Sequence, residues 1–244
     1  MLPIDEPPVT VDLVRARFES LTARLRDSAE RAGRDPNGFA VVGVTKTFPV
    51  DVCRMALEAG LTRLSENRVQ EALPKIAALP DAEWHLVGRL QSNKVRKAVA
   101  AFSVIHSVDS LELLERLASA AHDSGRQPAL LLQVNVTGEA AKTGFPLGWF
   151  EAEVGSPGQL VRAIRSMRGA RVTGLMAMAE FGIEETAARA TFRRLRELRD
   201  ALQETAGQAL PELSMGMTAD AEAAVAEGAT LVRIGTAIFG PRSG

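Results

Sequence analysis

The sequence predicts a single-domain (β/α)8 TIM barrel, and three observations support this fold class. Short apolar segments alternate with amphipathic helical segments eight times along the chain, a rhythm that is typical of parallel strands joined by helices. The 244 residues suit one such barrel, for which about 250 residues are usual. No linker or shift in composition divides the chain. A doubly wound open sheet is the structural alternative.

The elements follow in order along the chain. Residues 1–9 are expected to form a loose leader, and residues 10–244 the barrel domain, with Thr10 as N-cap of a helix that reaches about Arg31. The first strand, residues 40–44, is apolar on both faces, as in a parallel sheet covered by helices. Further strands are predicted at residues 63–67, 83–88, 104–109, 129–136, 172–178, 213–217 and 230–235, with helical segments between them. The longer connection over residues 137–148 is interpreted as an active-site loop.

Composition and charge narrow the functional classes. A formal net charge of -1 argues against a nucleic-acid-binding protein held mainly by bulk charge. No apolar run approaches the ~18 residues of a membrane span, and the N-terminus lacks the pattern of a signal peptide. The single cysteine, Cys53, excludes an internal disulfide and is compatible with a reducing cytoplasm. The three histidines show no metal-ligand spacing, so no metal ion is expected.

Lys46 is the first candidate functional residue. It stands where the first strand ends, between Thr45 and Thr47, at the kind of position where α/β barrels bind their ligands. Our hypothesis is that Lys46 is a Schiff-base lysine, and the alternative is a solvated lysine at a strand end.

The ends of the last two strands are the second candidate region. Residues 214–218 and 235–240 combine glycines with hydroxyl side chains at strand-to-helix junctions, where barrels often bind phosphate. Turn and cap chemistry is the alternative there. Arg233 interrupts an otherwise apolar strand, so its charge must either be paired with a nearby carboxylate or face a polar ligand.

These strand ends match one family in order along most of the chain. The sequence resembles the pyridoxal phosphate homeostasis proteins, which are relatives of the barrel domain of alanine racemase. The match covers about residues 10–241, with small departures at Ser65, where the family usually has Gly, and at Thr218, where Ser is common. The matching segments are 44–47 (VTKT), 65–71 (SENRVQE), 84–94 (WHLVGRLQSNK), 105–109 (IHSVD), 133–136 (QVNV), 142–144 (KTG), 174–176 (GLM), 213–218 (LSMGMT) and 232–240 (VRIGTAIFG).

The resemblance implies an alanine racemase-like barrel, fold type III among proteins that bind pyridoxal 5′-phosphate (PLP). Lys46 would carry PLP as an internal aldimine, and Arg233 would lie against the pyridine nitrogen. Lys142 is a further amine that PLP could reach, although a surface lysine is the simpler interpretation. The implied cofactor-binding residues are Lys46 for the aldehyde, Asn67 near the ring, Ser214, Gly235 and Thr236 for the phosphate, Arg233 for the pyridine nitrogen, and Met176 and Met215.

The implied function is carriage and buffering of PLP in intracellular vitamin B6 homeostasis, with little or no catalytic turnover. An arginine cannot take the pyridine proton, so it weakens the ring as an electron sink. The chain also has no tyrosine, the residue that alanine racemases use as one of two bases. A cytoplasmic monomer that passes PLP to apoenzymes is the corresponding expectation. The alternatives are a PLP-dependent amino-acid racemase or lyase, and a barrel enzyme for phosphorylated sugars that lacks PLP.

Overall fold

Eight parallel strands close into a barrel in this computed structural model, which confirms the predicted fold class. The structure describes residues 9–139, 143–156, 158–180 and 182–241. The predicted leader, apart from Val9, and Lys142 lie outside the described residues.

The strands follow the predicted order with slightly different ends. Each strand pairs with the next in the order β1, β2, β3, β4, β5, β7, β8 and β9. The pairing of β9 with β1 closes the barrel. The short β6 pairs with the end of β5 and lies in the connection that the sequence predicts to be an active-site loop. The strands are β1 (Ala40–Val44), β2 (Arg63–Glu66), β3 (Glu83–Leu86), β4 (Val104–Val108), β5 (Ala129–Asn135), β6 (Phe145–Pro146), β7 (Arg171–Met176), β8 (Glu212–Ser214) and β9 (Leu231–Ile234).

The helices form the outer layer. Thr10 caps the first of them as predicted, because its hydroxyl oxygen accepts a hydrogen bond from the backbone N–H of Leu13 at 3.2 Å. None of the described helices combines the length and apolar character needed to cross a membrane. The helices are α1 (Val11–Arg31), α2 (Val50–Glu58), α3 (Val69–Ala78), α4 (Val95–Ala101), α5 (Leu111–Ser124), α6 (Leu147–Gly155), α7 (Gln159–Ser166), α8 (Glu185–Ala206), α9 (Ala221–Ala226) and α10 (Thr236–Phe239).

Alternation along the strands divides the core into two parts. Residues that point outward pack with the helices in one large apolar cluster, to which Met215 belongs. Residues that point inward form a small apolar cluster inside the barrel, with Val42, Leu131 and Met176 among its members. The barrel interior also holds buried polar side chains. The adjacent residues Ser214 and Met215 therefore face opposite sides of the barrel wall.

Candidate functional site

A cavity of about 420 Å³ lies at the carboxyl ends of β1, β8 and β9, and it brings together four of the predicted site residues. Lys46, Arg233, Gly235 and Thr236 all line it, and so does Thr218. This volume falls in the range of ~300–1,000 Å³ that is usual for small-molecule sites. The position also agrees with the rule that barrel sites form at the carboxyl ends of the strands.

Lys46 is held in a tight turn directly after β1. The backbone N–H of Phe48 donates to the carbonyl of Thr45 at 3.1 Å, which closes the turn around the lysine. The next residue, Thr47, has a φ of 71°, in the left-handed region that a β-branched residue rarely adopts. Such a conformation costs on the order of 1–3 kcal/mol and persists only where the surroundings enforce it. The turn is therefore fixed by its neighbours.

A buried ion pair supplies part of that support. The Lys75 ammonium donates to the Thr45 carbonyl at 2.9 Å and to Glu66 Oε1 at 2.6 Å, and the Thr45 hydroxyl donates to the same carboxylate oxygen at 2.7 Å. The Glu66 side chain is 0% exposed and that of Lys75 is 10% exposed. The second oxygen, Glu66 Oε2, has no hydrogen-bond partner among the described residues. Lys75 therefore balances a buried charge and anchors the turn that carries Lys46.

Arg233 is a buried cation on the floor of the cavity. Its guanidinium donates to Ser214 Oγ at 2.5 Å and to the Ala177 carbonyl at 2.9 Å, and both acceptors are neutral. It forms no ion pair within the described part of the chain, so the alternative of a paired buried arginine is not observed there. Burial lowers the pKa of Arg233 to about 10, and the charge of Asp220 opposes this shift. Arg233 therefore remains a cation at neutral pH.

The loop after β8 places hydrogen-bond donors beside this cation. Asp220 Oδ1 accepts from the backbone N–H of Met217 at 2.6 Å, which holds the loop in place. Burial raises the pKa of Asp220, against the lowering effect of that bond and of the Arg233 charge. A Cβ on Gly216, whose φ is 90°, would lie only 2.5 Å from the Ala224 Cβ, so this corner needs a glycine. The loop turns closely over α9 and brings Thr218 to the cavity.

On the other side of the cavity, α10 begins at Thr236. The first backbone N–H groups of a helix have no acceptor within the helix, so those of Thr236 and Ala237 have none within α10. Lys46 and Arg233 add two cationic groups, and the walls include the apolar Val44 and Ile183. This set of donors suits a small anionic ligand with an apolar body.

Four predicted site residues lie elsewhere. Ser214 is fully buried beneath Arg233, and its hydroxyl contacts Arg233 and His106. Met176 lies in the apolar interior of the barrel, and Met215 faces the helix layer because strand residues alternate. Asn67 lines a separate groove of about 860 Å³ between the loops after β2 and β3.

Thr218 is the residue that reasoning from the sequence did not assign to the cofactor. It lies four residues beyond the end of β8, in a loop where barrel ligand sites form, and this position is the available signal. Among the described residues, no group of three or more His, Cys, Asp or Glu side chains could hold a metal ion.

The fold and the site define a barrel of the alanine racemase class, with a lysine after its first strand and an arginine on the floor of its cavity. The family model for the alanine racemase N-terminal domain matches residues 16–243. Structures of alanine racemase from Clostridium difficile are only 12–14% identical and share the fold, with TM-scores of 0.70 over 99% of this chain and 60–64% of theirs.

More similar proteins identify the family within that class. A pyridoxal phosphate homeostasis protein of Pseudomonas aeruginosa is 45% identical, over 94% of this chain and 96% of its own length. One from Aquifex aeolicus is 40% identical, over 93% and 97%. The structure of PipY from Synechococcus elongatus with PLP bound has a TM-score of 0.79 at 38% identity, over 93% of this chain and all of that chain. This chain belongs to the pyridoxal phosphate homeostasis protein family.

Proposed function

We propose that this chain binds PLP in the cavity between Lys46 and Arg233 and carries it in vitamin B6 homeostasis. The observation that carries the proposal is the convergence of a lysine amine, a buried guanidinium and the donors of Thr218 and Thr236 on one cavity. PLP is an aromatic aldehyde with a phosphate, and this set of donors fits each of its parts. The relative PipY has been solved with PLP bound, and the homologues are named for PLP homeostasis.

The roles of the residues follow from their chemistry. When bound, PLP supplies an electrophilic aldehyde and an electron-withdrawing ring. Lys46 would supply the amine that holds the aldehyde, and it would have to be neutral to do so. The hydroxyls of Thr218 and Thr236 and the backbone N–H groups at the start of α10 serve the phosphate.

Arg233 also favours carriage over catalysis. Most PLP enzymes place a carboxylate at the pyridine nitrogen, where it keeps that nitrogen protonated. With a pKa of about 10, Arg233 is a cation at neutral pH and disfavours a second positive charge on the ring. The sequence also contains no tyrosine to act as an opposed base. We infer a cytoplasmic monomer that buffers PLP and passes it to apoenzymes with little or no turnover of its own.

The test compares wild-type protein loaded with PLP, a Lys46→Ala variant and a Lys97→Ala variant, whose substituted lysine lies exposed on α4. We expect wild type and Lys97→Ala to bind PLP and to restore the activity of a PLP-dependent apoenzyme, and Lys46→Ala to retain far less PLP. Incubation with L-amino acids should give no sustained conversion. Sustained conversion by the purified wild-type protein would overturn the carrier role in favour of a racemase or lyase.

A further inference from the structure

A line of hydrogen-bonded side chains crosses the inside of the barrel from one mouth to the other. We name it the polar chain, and its members in order are Arg63, Glu83, His85, His106, Ser214 and Arg233. The distances are 3.1 Å from Arg63 Nε to Glu83 Oε2, 3.1 Å from Glu83 Oε1 to His85 Nε2, 2.8 Å from His85 Nδ1 to His106 Nε2, 2.8 Å from His106 Nδ1 to Ser214 Oγ, and 2.5 Å from Ser214 Oγ to Arg233 Nη1.

The two ends of the polar chain differ in exposure from its middle. His85 is 1% exposed, and His106 and Ser214 are 0% exposed. At the amino-terminal mouth of the barrel, the Arg63 and Glu83 side chains are 40% and 41% exposed. They border an opening of about 590 Å³. At the other end, Arg233 lines the ligand cavity. The polar chain therefore connects water at one mouth with the ligand cavity at the other.

The charged ends fix the direction of every hydrogen bond between them. Arg233 can only donate, so Ser214 Oγ accepts from it. Among the described residues His106 Nδ1 is the one other partner of this hydroxyl, so the hydroxyl donates its proton there and does not leave it unpaired. His106 must then carry its proton on Nε2 and donate to His85 Nδ1. His85 in turn donates from Nε2 to the Glu83 carboxylate, which can only accept. Both histidines are thereby assigned as neutral Nε2–H tautomers, and all the dipoles point the same way.

The electrostatic surroundings support this assignment. Burial and the nearby Arg233 cation hold the pKa of His106 well below its usual value, and a proton on His85 would lower it further. The hydrogen bond from His85 lowers the pKa of Glu83, against the effect of partial burial. A proton added to His85 would reverse the His85–His106 and His106–Ser214 bonds and leave the Ser214 hydroxyl without its acceptor. The forward direction is therefore the stable one at neutral pH.

We propose that Glu83, His85, His106 and Ser214 are positioning residues that hold Arg233 on the cavity floor. Through the aligned hydrogen bonds of the polar chain, the negative charge of Glu83 partly compensates the positive charge of Arg233. The proposal rests on the proposed function only for the identity of the ligand as PLP. Other charged groups also face the two ends. Arg171 and Glu212 border the amino-terminal mouth beside Arg63, and Lys46, Glu180 and Asp220 border the ligand cavity beside Arg233.

The direction of the polar chain is testable without PLP. The sequence has only three histidines, and His122 is exposed on α5, so nitrogen-15 NMR of the imidazoles needs one assignment variant, His122→Gln. We expect two rings, those of His85 and His106, to show a protonated Nε2 and an unprotonated Nδ1. We also expect His106 to stay neutral below the ordinary histidine value of about 6.5. A protonated Nδ1 on His106, or a second proton on it above that pH, would overturn the assigned direction.

Transmission to the cavity is tested with two matched variants at the amino-terminal mouth. Glu83→Gln removes the terminal charge of the polar chain with little change in volume. Glu212→Gln removes a charge at the same mouth, but Glu212 accepts from Thr230 and lies outside the polar chain. The readout is the pH midpoint of the visible absorption band of PLP bound to each protein.

We expect Glu83→Gln to lower this midpoint by roughly 0.5 pH unit, because a less compensated Arg233 disfavours a proton on the linked nitrogen of Lys46. Glu212→Gln should leave the midpoint unchanged. Equal shifts in the two variants, or no shift in Glu83→Gln, would overturn transmission through the polar chain. If wild type bound no PLP, the proposed function would fail, whereas the NMR result would still decide the direction of the polar chain.

Discussion

Replacing Lys75 by methionine tests how the turn that carries Lys46 is stabilised. The substitution keeps most of the side-chain volume but removes the ammonium group that contacts the Glu66 carboxylate at 2.6 Å and the Thr45 carbonyl at 2.9 Å. Glu66, which is 0% exposed, would keep the hydrogen bond from the Thr45 hydroxyl and lose its buried counter-charge. An uncompensated buried charge is the expected result.

The size of the effect follows from the burial of both partners. Removing one member of a buried ion pair costs about 3–5 kcal/mol, much more than the loss of an exposed pair. Because the Lys75 side chain is only 10% exposed, solvent screens this pair little. A second substitution, Glu66→Gln, removes the stranded charge and keeps an acceptor for Thr45. The double variant should therefore recover at least half of the lost stability.

The assay is urea unfolding of wild type, Lys75→Met, the double variant and Lys97→Met, whose lysine is exposed on α4. We expect the free energy of unfolding to fall strongly in Lys75→Met and to recover in part in the double variant. In Lys97→Met it should change by less than about 0.5 kcal/mol. A loss below about 1 kcal/mol for Lys75→Met would refute the reasoning, because the pair would then behave as an exposed one.

Two further predictions concern a close backbone contact and a buried histidine. A Cβ on Gly88 would lie 2.2 Å from the Asn67 carbonyl oxygen, so Gly88→Ala should lower the free energy of unfolding in urea by about 1–3 kcal/mol. A Cβ on Gly148 would meet nothing within 4 Å, so the control Gly148→Ala should not destabilise the protein. Because the folded-state pKa of His106 is lowered, the unfolded chain binds the proton first as pH falls below the ordinary histidine value of about 6.5. One pH unit below that value, the free energy of unfolding of wild type should be roughly 1.4 kcal/mol smaller than at higher pH. The His106→Gln variant should not show this decrease. His122→Gln, an exposed control, should behave as wild type, and an unchanged pH dependence in His106→Gln would contradict the assignment.

The barrel could be predicted from the sequence because short strand-like segments, most of them apolar, alternate with helical segments. The prediction needed only the rhythm of these elements, whereas the register between neighbouring strands is seen only in the structure. The strand β6 (Phe145–Pro146) could not be anticipated, because two residues carry no periodic pattern and their pairing depends on the end of β5.

The site could be predicted in part. Lys46, Arg233, Gly235 and Thr236 were recognisable as polar or small residues where apolar strands end or are interrupted, and the structure brings them to one cavity. The sequence predicts Ser214 as a phosphate ligand because it is a hydroxyl at a strand end, and the structure places this hydroxyl against Arg233 and His106. Whether a strand residue points into the cavity or lies beneath it depends on where the strand stops, and β8 stops at Ser214 itself.

The polar chain could not be predicted from the sequence. His85 and His106 lie 21 positions apart, and Ser214 lies 108 positions beyond His106. Only the closure of the barrel brings β3, β4, β8 and β9 around the same interior. The local spacing of the histidines carries no information on this long-range arrangement.

The most direct test of the central claim is to locate the covalent link between PLP and the protein. The protein is incubated with PLP, reduced with borohydride, digested and examined by mass spectrometry, with Lys46→Ala treated in parallel. We predict one dominant pyridoxyl adduct, on the peptide that contains Lys46, together with loss of the visible band, and neither in the variant. A dominant adduct on another lysine, or no adduct at all, would contradict the account of this cavity as the PLP site.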